Sequence, residues 1–324
     1  MWTELPMHCR GPEAEKVGGN DSMSKSNDEI IRDRMRMEWS AAAPGWKKYG
    51  KDMQKWMAPI SDQLIRSAGI TSGQTVLDVA TGTGQPALTI AKIVGQNGKV
   101  IGVDLSPEMI EVAKEEAAYQ GLTNAAVFQV IKDESLSMFS DNTFDSVVCR
   151  NGLMFMPDPV KALKAFLRVL KPGGKASVTV WGSPDKSPVM GVVMKIISKH
   201  VPPDLEKKLS STTTAAAPPG TPGGPFSIPS VDMLRDYFLK AGFSNFNAEK
   251  IEATVAQTDT AEQFWQGMTE VTGFLVILLS KLPDEKKLAI KNDVIDSLHK
   301  IIPSGGPVKF TGELILGTGT KPDR

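Results

Sequence analysis

Apolar positions along this chain change their spacing at Gln74. From there, short β-branched runs alternate with stretches of helical period, the pattern of parallel strands joined by crossover helices. The strands read as Thr75 to Val79, Lys99 to Asp104, Ala126 to Ile131, Phe144 to Arg150 and Lys175 to Trp181. Between the first two, Pro86 to Val94 carries apolar residues at helical spacing, with Pro86 suited to the first turn. Ser106-Pro107-Glu108 reads as a cap, a first-turn proline and an acid at the positive helix end. That helix is predicted to run to about Gln120 and to stop at Gly121. Another, about Pro159 to Leu170, ends at Lys171-Pro172-Gly173-Gly174.

The flanks are patterned differently. Residues 1 to about 27 mix Gly, Ser, Asn and charge with few large apolar groups, and are expected to be a disordered tail. Residues 28 to 70 are predicted helical, with Pro44-Gly45 dividing them in two. After Trp181 the regularity fades. Residues 201 to 230 hold seven prolines among Ser, Thr, Ala and Gly, the composition of a long loop. A helix from Val231 to Ala241 and a strand near Phe246 to Val255 follow. Helices at about Ala261 to Leu282 and Asp284 to Ile302 form a helical addition over about 259–302, and a strand from Pro307 to Gly317 closes the chain. The organisation expected is a tail, a helical lid over 28–70 and one α/β domain over 71–324.

Composition narrows the function. The 324 residues contain 37 Lys plus Arg and 37 Asp plus Glu. That balance gives no draw to nucleic acid or to an anionic membrane. Cys9 and Cys149 cannot build a disulfide framework or a thiolate metal cage, so no metal is expected and a reducing, cytoplasmic setting is. The longest apolar run, Phe274 to Leu279, is far too short for a membrane span. The N-terminus has no secretory h-region and is too acidic for an organelle transit peptide.

The chemistry concentrates at three strand ends. Gly82 to Ala87 matches G-x-G-x-x-G/A, with Asp104 about 20 residues on, which alone would suggest a nicotinamide or flavin enzyme. Asp78, four residues before the first glycine, argues against that reading. A carboxylate ~5 Å from a pyrophosphate charge costs roughly 3 kcal/mol at an effective dielectric of ~20. S-adenosylmethionine carries a sulfonium, an ammonium and a carboxylate instead, so an acid there is tolerated or favoured, and Asp78 is expected among the donor-binding residues. Gly82, Thr83 and Gly84 would let the backbone approach its amino-acid part. Asp104 can accept both ribose hydroxyls, Leu105 and Met109 can cover the adenine faces, and Asp133 can accept from the adenine amine.

Val76-Leu77-Asp78, Gly82-Thr83-Gly84 and Gly102-Val103-Asp104-Leu105-Ser106-Pro107-Glu108-Met109 together resemble the class I S-adenosylmethionine-dependent methyltransferases. Within them the chain is similar to the broad group related to ubiquinone and menaquinone C-methyltransferases. Asp133, Phe139, Asp141-Asn142-Thr143-Phe144-Asp145 and Leu170-Lys171-Pro172-Gly173-Gly174 extend the resemblance, which covers about residues 39 to 320. It implies a doubly wound, mostly parallel seven-stranded sheet with an antiparallel last strand. It also implies that Gly82 lies on the donor's methionine part, Asp104 on the ribose and Asp133 on the adenine amine, and that Glu38 to Ala43, leading to Trp46, folds over the donor. The stretch Cys149 to Asp158 departs from the quinone enzymes' pattern, so the resemblance leaves the acceptor open. The extra cysteines of arsenic methyltransferases are missing.

Methyl transfer requires a nucleophile aligned with the methyl group and water excluded. The acceptor pocket is expected over the ends of the fourth and fifth strands, with Trp46, Asn151, Met154, Phe155 and Trp181 as candidate substrate residues. Arg150 and Asn151 could serve either donor or acceptor. Tyr49, Met53 and Trp56 could cap the site, and Phe264, Trp265 and Met268 could roof it or pack a core. His200 and His299 sit at no strand end, so no catalytic base is assigned. The expected partner is a small molecule. A nicotinamide- or flavin-dependent oxidoreductase and a donor-binding protein without catalysis are the competing readings; donor titration and S-adenosylhomocysteine formation separate them.

Overall fold

Seven strands form one sheet in the order β3-β2-β1-β4-β5-β7-β6. The computed structural model describes residues 25–201, 219–302 and 307–323. The strands are β1 (Thr75–Val79), β2 (Lys99–Asp104), β3 (Ala126–Val130), β4 (Phe144–Arg150), β5 (Leu170–Trp181), β6 (Ser244–Thr258) and β7 (Val308–Thr320). β1 to β5 are mutually parallel, and β7 runs antiparallel to both β5 and β6. The sequence reading of a mostly parallel sheet with an antiparallel last strand is borne out.

Central β1 is buried on both faces: every residue from Val76 to Val79 is buried, Asp78 included. Leu77, Val79, Val147, Val178 and Val180 face a core completed by α5 (Pro159–Val169) and α7 (Val231–Ala241). Val76, Val100, Val148 and Leu316 face the opposite core. That side is covered by α2 (Gly50–Ser67), α3 (Ala87–Val94) and α4 (Pro107–Tyr119). The Ser106 hydroxyl accepts from the Met109 N–H and Pro107 opens α4, as the cap reading requires. A third core lies between α6 (Pro188–His200), α8 (Ala261–Val271), α9 (Gly273–Ser280) and α10 (Asp284–Ile301), joined to the sheet through Val308 and Phe310 of β7.

The N-terminal helix α1 (Asn27–Lys48) departs from expectation. Pro44-Gly45 does not break it; the break comes at Tyr49, before α2. Pro44 removes one helical donor, but packing holds the turn. A Cβ on Gly45 would lie 2.2 Å from the Glu270 carbonyl oxygen on α8, and a Cβ on Gly273 of α9 would lie 2.2 Å from that of Glu38. Bare glycine faces therefore let α1 and the α8–α9 pair touch backbone to backbone at two points. The residue that reads as a breaker is a contact surface.

Other boundaries also moved. Helix α1 begins at Asn27, with Ser26 capping it in a reciprocal box with Glu29; residues 1–24 of the expected tail lie outside the described residues, as do 202–218 of the Pro-rich loop. The single helix expected over Ala261 to Leu282 is two, divided at Thr272. Helix α6 was not foreseen, because Val, Ile and Gly191 blur its period. β5 annexes the expected Lys171–Gly174 turn, since Gly173 N–H donates to the Lys321 carbonyl and Lys321 N–H to that of Gly174.

Candidate functional site

The carboxyl ends of β1, β2 and β4 open on a cleft roofed by α1. After β1 the chain turns sharply: Ala80 and Gly82 both adopt left-handed backbone, with φ of 57° and 55°. Glycine adopts that geometry freely, whereas Ala80 is strained there. A Cβ on Gly82 would meet nothing within 4 Å, so the loop presents bare backbone to open space. Gly84 has the other glycine role: its missing Cβ admits Leu88 and Ala113 at 3.1 and 3.2 Å, which seats α4 against the loop.

Asp104 binds the first two strand ends together. Its Oδ2 accepts from the Gly82 N–H at 2.9 Å and its Oδ1 from the Ser106 N–H at 2.9 Å. Each oxygen keeps a second acceptor direction for a ligand hydroxyl. Burial raises its carboxyl above the usual range, against the backbone donors of Ser106 and Gly82. Leu105, Met109 and Ile131 give the same cleft apolar walls, and Thr83 and Arg150 complete it with Gly82.

Asp78 lies beneath the loop and not in the cleft. It is 0% exposed. Its Oδ2 accepts from the Thr81 hydroxyl at 2.6 Å and from the Ala87 N–H at 3.1 Å, while Oδ1 has no hydrogen-bond partner. Burial pushes its carboxyl up to about 7, opposed by the Thr81 hydroxyl and the Arg150 guanidinium. The Arg150 guanidinium is lowered to about 10 by burial, with Asp78 pulling it back. The role placed on Asp78 is therefore corrected: it braces the turn that shapes the cleft. Burial disfavours its ionised form, which weakens the charge argument against pyrophosphate.

Asp133, expected at the adenine amine, is not part of the cleft's lining, and its Oδ1 accepts from the Ser135 N–H at 2.9 Å. Its neighbour Glu134 is in the wall, where it takes a two-pronged grip from Arg32 of α1, both contacts 2.8 Å. Two adjacent acids after a strand point to different sides, and the sequence does not say which turns inward.

A second, larger space of about 800 Å³ adjoins the cleft. Trp39, Trp46, Met57, Asn151 and Phe155 line both spaces and mark the seam. Trp39 meets Trp46 and Phe155 edge-on, with ring centroids 6.1 and 5.4 Å apart. The Trp46 indole N–H donates to the Val271 carbonyl at 2.9 Å, fixing the ring to the end of α8. Asn151, in left-handed backbone at φ 56°, is anchored because the Thr179 hydroxyl donates to its Oδ1 at 2.8 Å. Arg150 donates to the Ser61 hydroxyl at 2.8 Å, tying β4 to α2.

Met154 and Trp181 line only the larger space. The Met154 sulfur receives the Trp181 N–H at 3.4 Å, and Trp181 stacks on Phe310 at 5.6 Å. Tyr49, Met53, Trp56, Phe264 and Met268 line it too, whereas Trp265, which shares the third core with Phe264 and Met268, lines neither space. Sequence reasoning missed Met190, Met194, Phe226, Phe274 and Phe310, which arrive from distant elements. His200 pairs with Asp293 at 2.6 Å, and neither His200 nor His299 lines either space. Among the described residues no group of three His, Cys, Asp or Glu could hold a metal, and no helix is long and apolar enough to cross a membrane.

The cleft fits a nucleoside carrying an amino-acid tail: bare backbone at Gly82, a carboxylate with free acceptor directions at Asp104, and apolar walls for a flat ring. Comparison with known proteins agrees. Residues 70–215 match a family described as a methyltransferase domain. The chain is 32% identical to the demethylmenaquinone methyltransferase of Staphylococcus saprophyticus over 195 residues, 60% of this chain and 80% of that one. It is also similar in fold to the YcgJ protein of Bacillus subtilis, with a TM-score of 0.52 and 22% identity over 82% of this chain and 98% of that one. A Haemonchus contortus phosphoethanolamine N-methyltransferase 2, solved with phosphomonomethylethanolamine and S-adenosylhomocysteine, gives a TM-score of 0.54 and 19% identity over 92% and 61% of the two chains.

Proposed function

We propose that this chain, which belongs to the class I S-adenosylmethionine-dependent methyltransferases related to the quinone methyltransferases, methylates a bulky, largely apolar small molecule. The observation that carries this reading is the 800 Å³ cavity, walled by Trp, Phe and Met and open to the donor cleft along one seam. Pockets of this size and lining suit drug-sized apolar ligands. Methionines and aromatics adapt to flat rings and flexible chains alike. The relatives named demethylmenaquinone methyltransferase make a ring with an apolar side chain the favoured acceptor class.

What S-adenosylmethionine supplies when bound is a methyl group made electrophilic by its sulfonium, open to in-line displacement. The chain's own residues do the rest. Gly82 and Thr83 border the amino-acid end, Asp104 accepts from the ribose hydroxyls, and Leu105, Met109 and Ile131 enclose the ring. Arg150 and Asn151 stand at the seam side, held by Ser61 and Thr179. Trp39, Trp46 and Phe155 exclude water there and align the acceptor with the methyl group, which removes most of the entropic barrier to the encounter.

The test is transfer of an isotope-labelled methyl group to two acceptors, a prenylated 1,4-naphthalenediol and phosphoethanolamine, read by mass spectrometry. Label in the apolar acceptor supports the reading. Label in phosphoethanolamine alone refutes it.

A further inference from the structure

Glu38 is the one carboxylate of α1 that is buried and lines the acceptor cavity. It is 8% exposed, and its Oε1 has no hydrogen-bond partner. Fixed interactions do not explain it. Arg34, one turn earlier, is buried too, but its Nε is also unpartnered and its NH2 reaches toward the Gly223 carbonyl at 3.4 Å. A buried, unsatisfied carboxylate costs several kcal/mol unless something compensates. Such a group in a cavity wall is a candidate for function.

The surroundings leave Glu38 available. On α9, which crosses α1 at Glu38, no residue is ionisable. On α8, Glu270 is taken by Lys48 at 2.8 Å. On α4, Glu108 bonds to Ser40. On α2, Asp52 and Lys55 line the same cavity, as does Asp259 beyond β6. Arg34 is the charge that acts on Glu38 directly. The next residue, Trp39, stands at the seam with the donor cleft.

We propose that Glu38 is the general base of the reaction, taking the proton from a hydroxyl or acidic C–H of the acceptor as that atom attacks the methyl carbon. The inference rests on the reading of the large cavity as the acceptor site. Its balance closes. The acceptor atom forms a bond to the methyl carbon, the sulfur–carbon bond breaks with its electron pair left on sulfur, and the acceptor's proton moves to the Glu38 carboxylate. The positive charge lost from sulfur leaves as that proton, which Glu38 later releases to water. Burial pushes the Glu38 carboxyl up to about 7, with Arg34 opposing, so the group is poised for proton transfer at neutral pH. A general base implies an acceptor with a weakly acidic proton, such as a phenol or a hydroquinone, and not an amine.

The probe is 1-naphthol, a neutral apolar phenol. Its binding without donor is measured by fluorescence at about pH 6 and about pH 8 for wild type, Glu38→Gln and Glu38→Asp. Wild type should bind about tenfold more tightly at the higher pH, where an ionised carboxylate accepts the hydroxyl. Glu38→Gln should bind equally at both, with unchanged affinity for S-adenosylhomocysteine. With donor present, methylation by wild type should fall below about pH 7. Glu38→Gln should lose that acid limb and about 10²–10⁴ of kcat, and Glu38→Asp should keep the limb at a lower rate. Equal wild-type affinity at both pH values, or an unchanged limb in Glu38→Gln, overturns the proposal. If Glu38→Gln loses S-adenosylhomocysteine binding through misfolding, wild type and Glu38→Asp decide. If 1-naphthol binds to no variant, the acceptor-cavity reading itself fails and takes the inference with it.

Discussion

Replacing Asp78 by Asn should stabilise the protein progressively as pH rises. The side chain is fully buried and offers one oxygen to two donors while the other has none. Its ordinary value of 3.8 applies to the unfolded chain, and burial raises it to about 7 in the native state. Between those values the native protein holds a proton that the unfolded chain has released. Native stability therefore falls as pH rises through that window, and the full cost is present above about pH 7. At 1.36 kcal/mol per pKa unit, Asp78 costs about 2 kcal/mol at pH 5 and about 4 kcal/mol at pH 8. Asn keeps an oxygen for Thr81 and Ala87 and does not titrate. Its buried NH₂ adds a fixed cost, but that cost is independent of pH. The measurement is urea unfolding of both proteins at the two pH values. The stability difference should move in favour of Asn by roughly 2–3 kcal/mol from pH 5 to pH 8. A difference constant to within about 0.5 kcal/mol would mean that Asp78 stays ionised throughout and that the account of the loop is wrong.

Three further outcomes are expected. Asp104→Ala should weaken S-adenosylhomocysteine binding by about 1.5–3 kcal/mol, the scale of hydrogen bonds to a charged group; calorimetry giving unchanged affinity in a folded protein would remove Asp104 from the site. Gly82→Val should abolish that binding while much of the fold survives, because the side chain would stand in the open space at φ 55°; near-normal affinity would contradict the bare-backbone reading. Gly45→Ala should destabilise by about 1–3 kcal/mol through overlap with the Glu270 carbonyl, whereas Gly267→Ala, where a Cβ meets nothing within 4 Å, should stabilise by about 0.5–1 kcal/mol; equal effects of the two alanines on the unfolding midpoint would show that the helix crossing is loose.

The sequence was most informative where structure is local. A strand end, a glycine turn and an acid at the end of the next strand are short-range features, so the residues around Gly82 and Asp104 could be placed before any coordinates. Asp133 and Glu134 show the limit of that reasoning. They are neighbours of the same chemistry, and the one in the cleft wall, Glu134, is held there by Arg32, about 100 residues earlier. Gly84 read as a ligand glycine because the motif does not distinguish close approach to a ligand from close approach to α4. Glu38 was hidden for a related reason. On α1, among Arg34, Arg36 and Glu29, it has the look of a solvated helix acid, yet it is buried where α9 crosses, against Gly273. Pro44-Gly45 was misread because local propensity was overridden by tertiary packing.

The two spaces at the strand ends are assembled from different parts of the chain, and they have different freedom to diverge. The floor of the donor cleft comes mainly from one continuous stretch, from Val79 to Pro157, inside the matched residues 70–215. Much of the acceptor cavity comes from α1 and α2 at one end and from α8, α9 and β7 at the other, outside that match. If the larger space takes the acceptor, as proposed, exchange of Phe264, Met268, Phe274 or Phe310 would change what is methylated and leave the lining of the donor cleft untouched. On the proposed reading, the likeness over the matched stretch speaks to the methyl donor, and the acceptor is read by residues that the match does not cover.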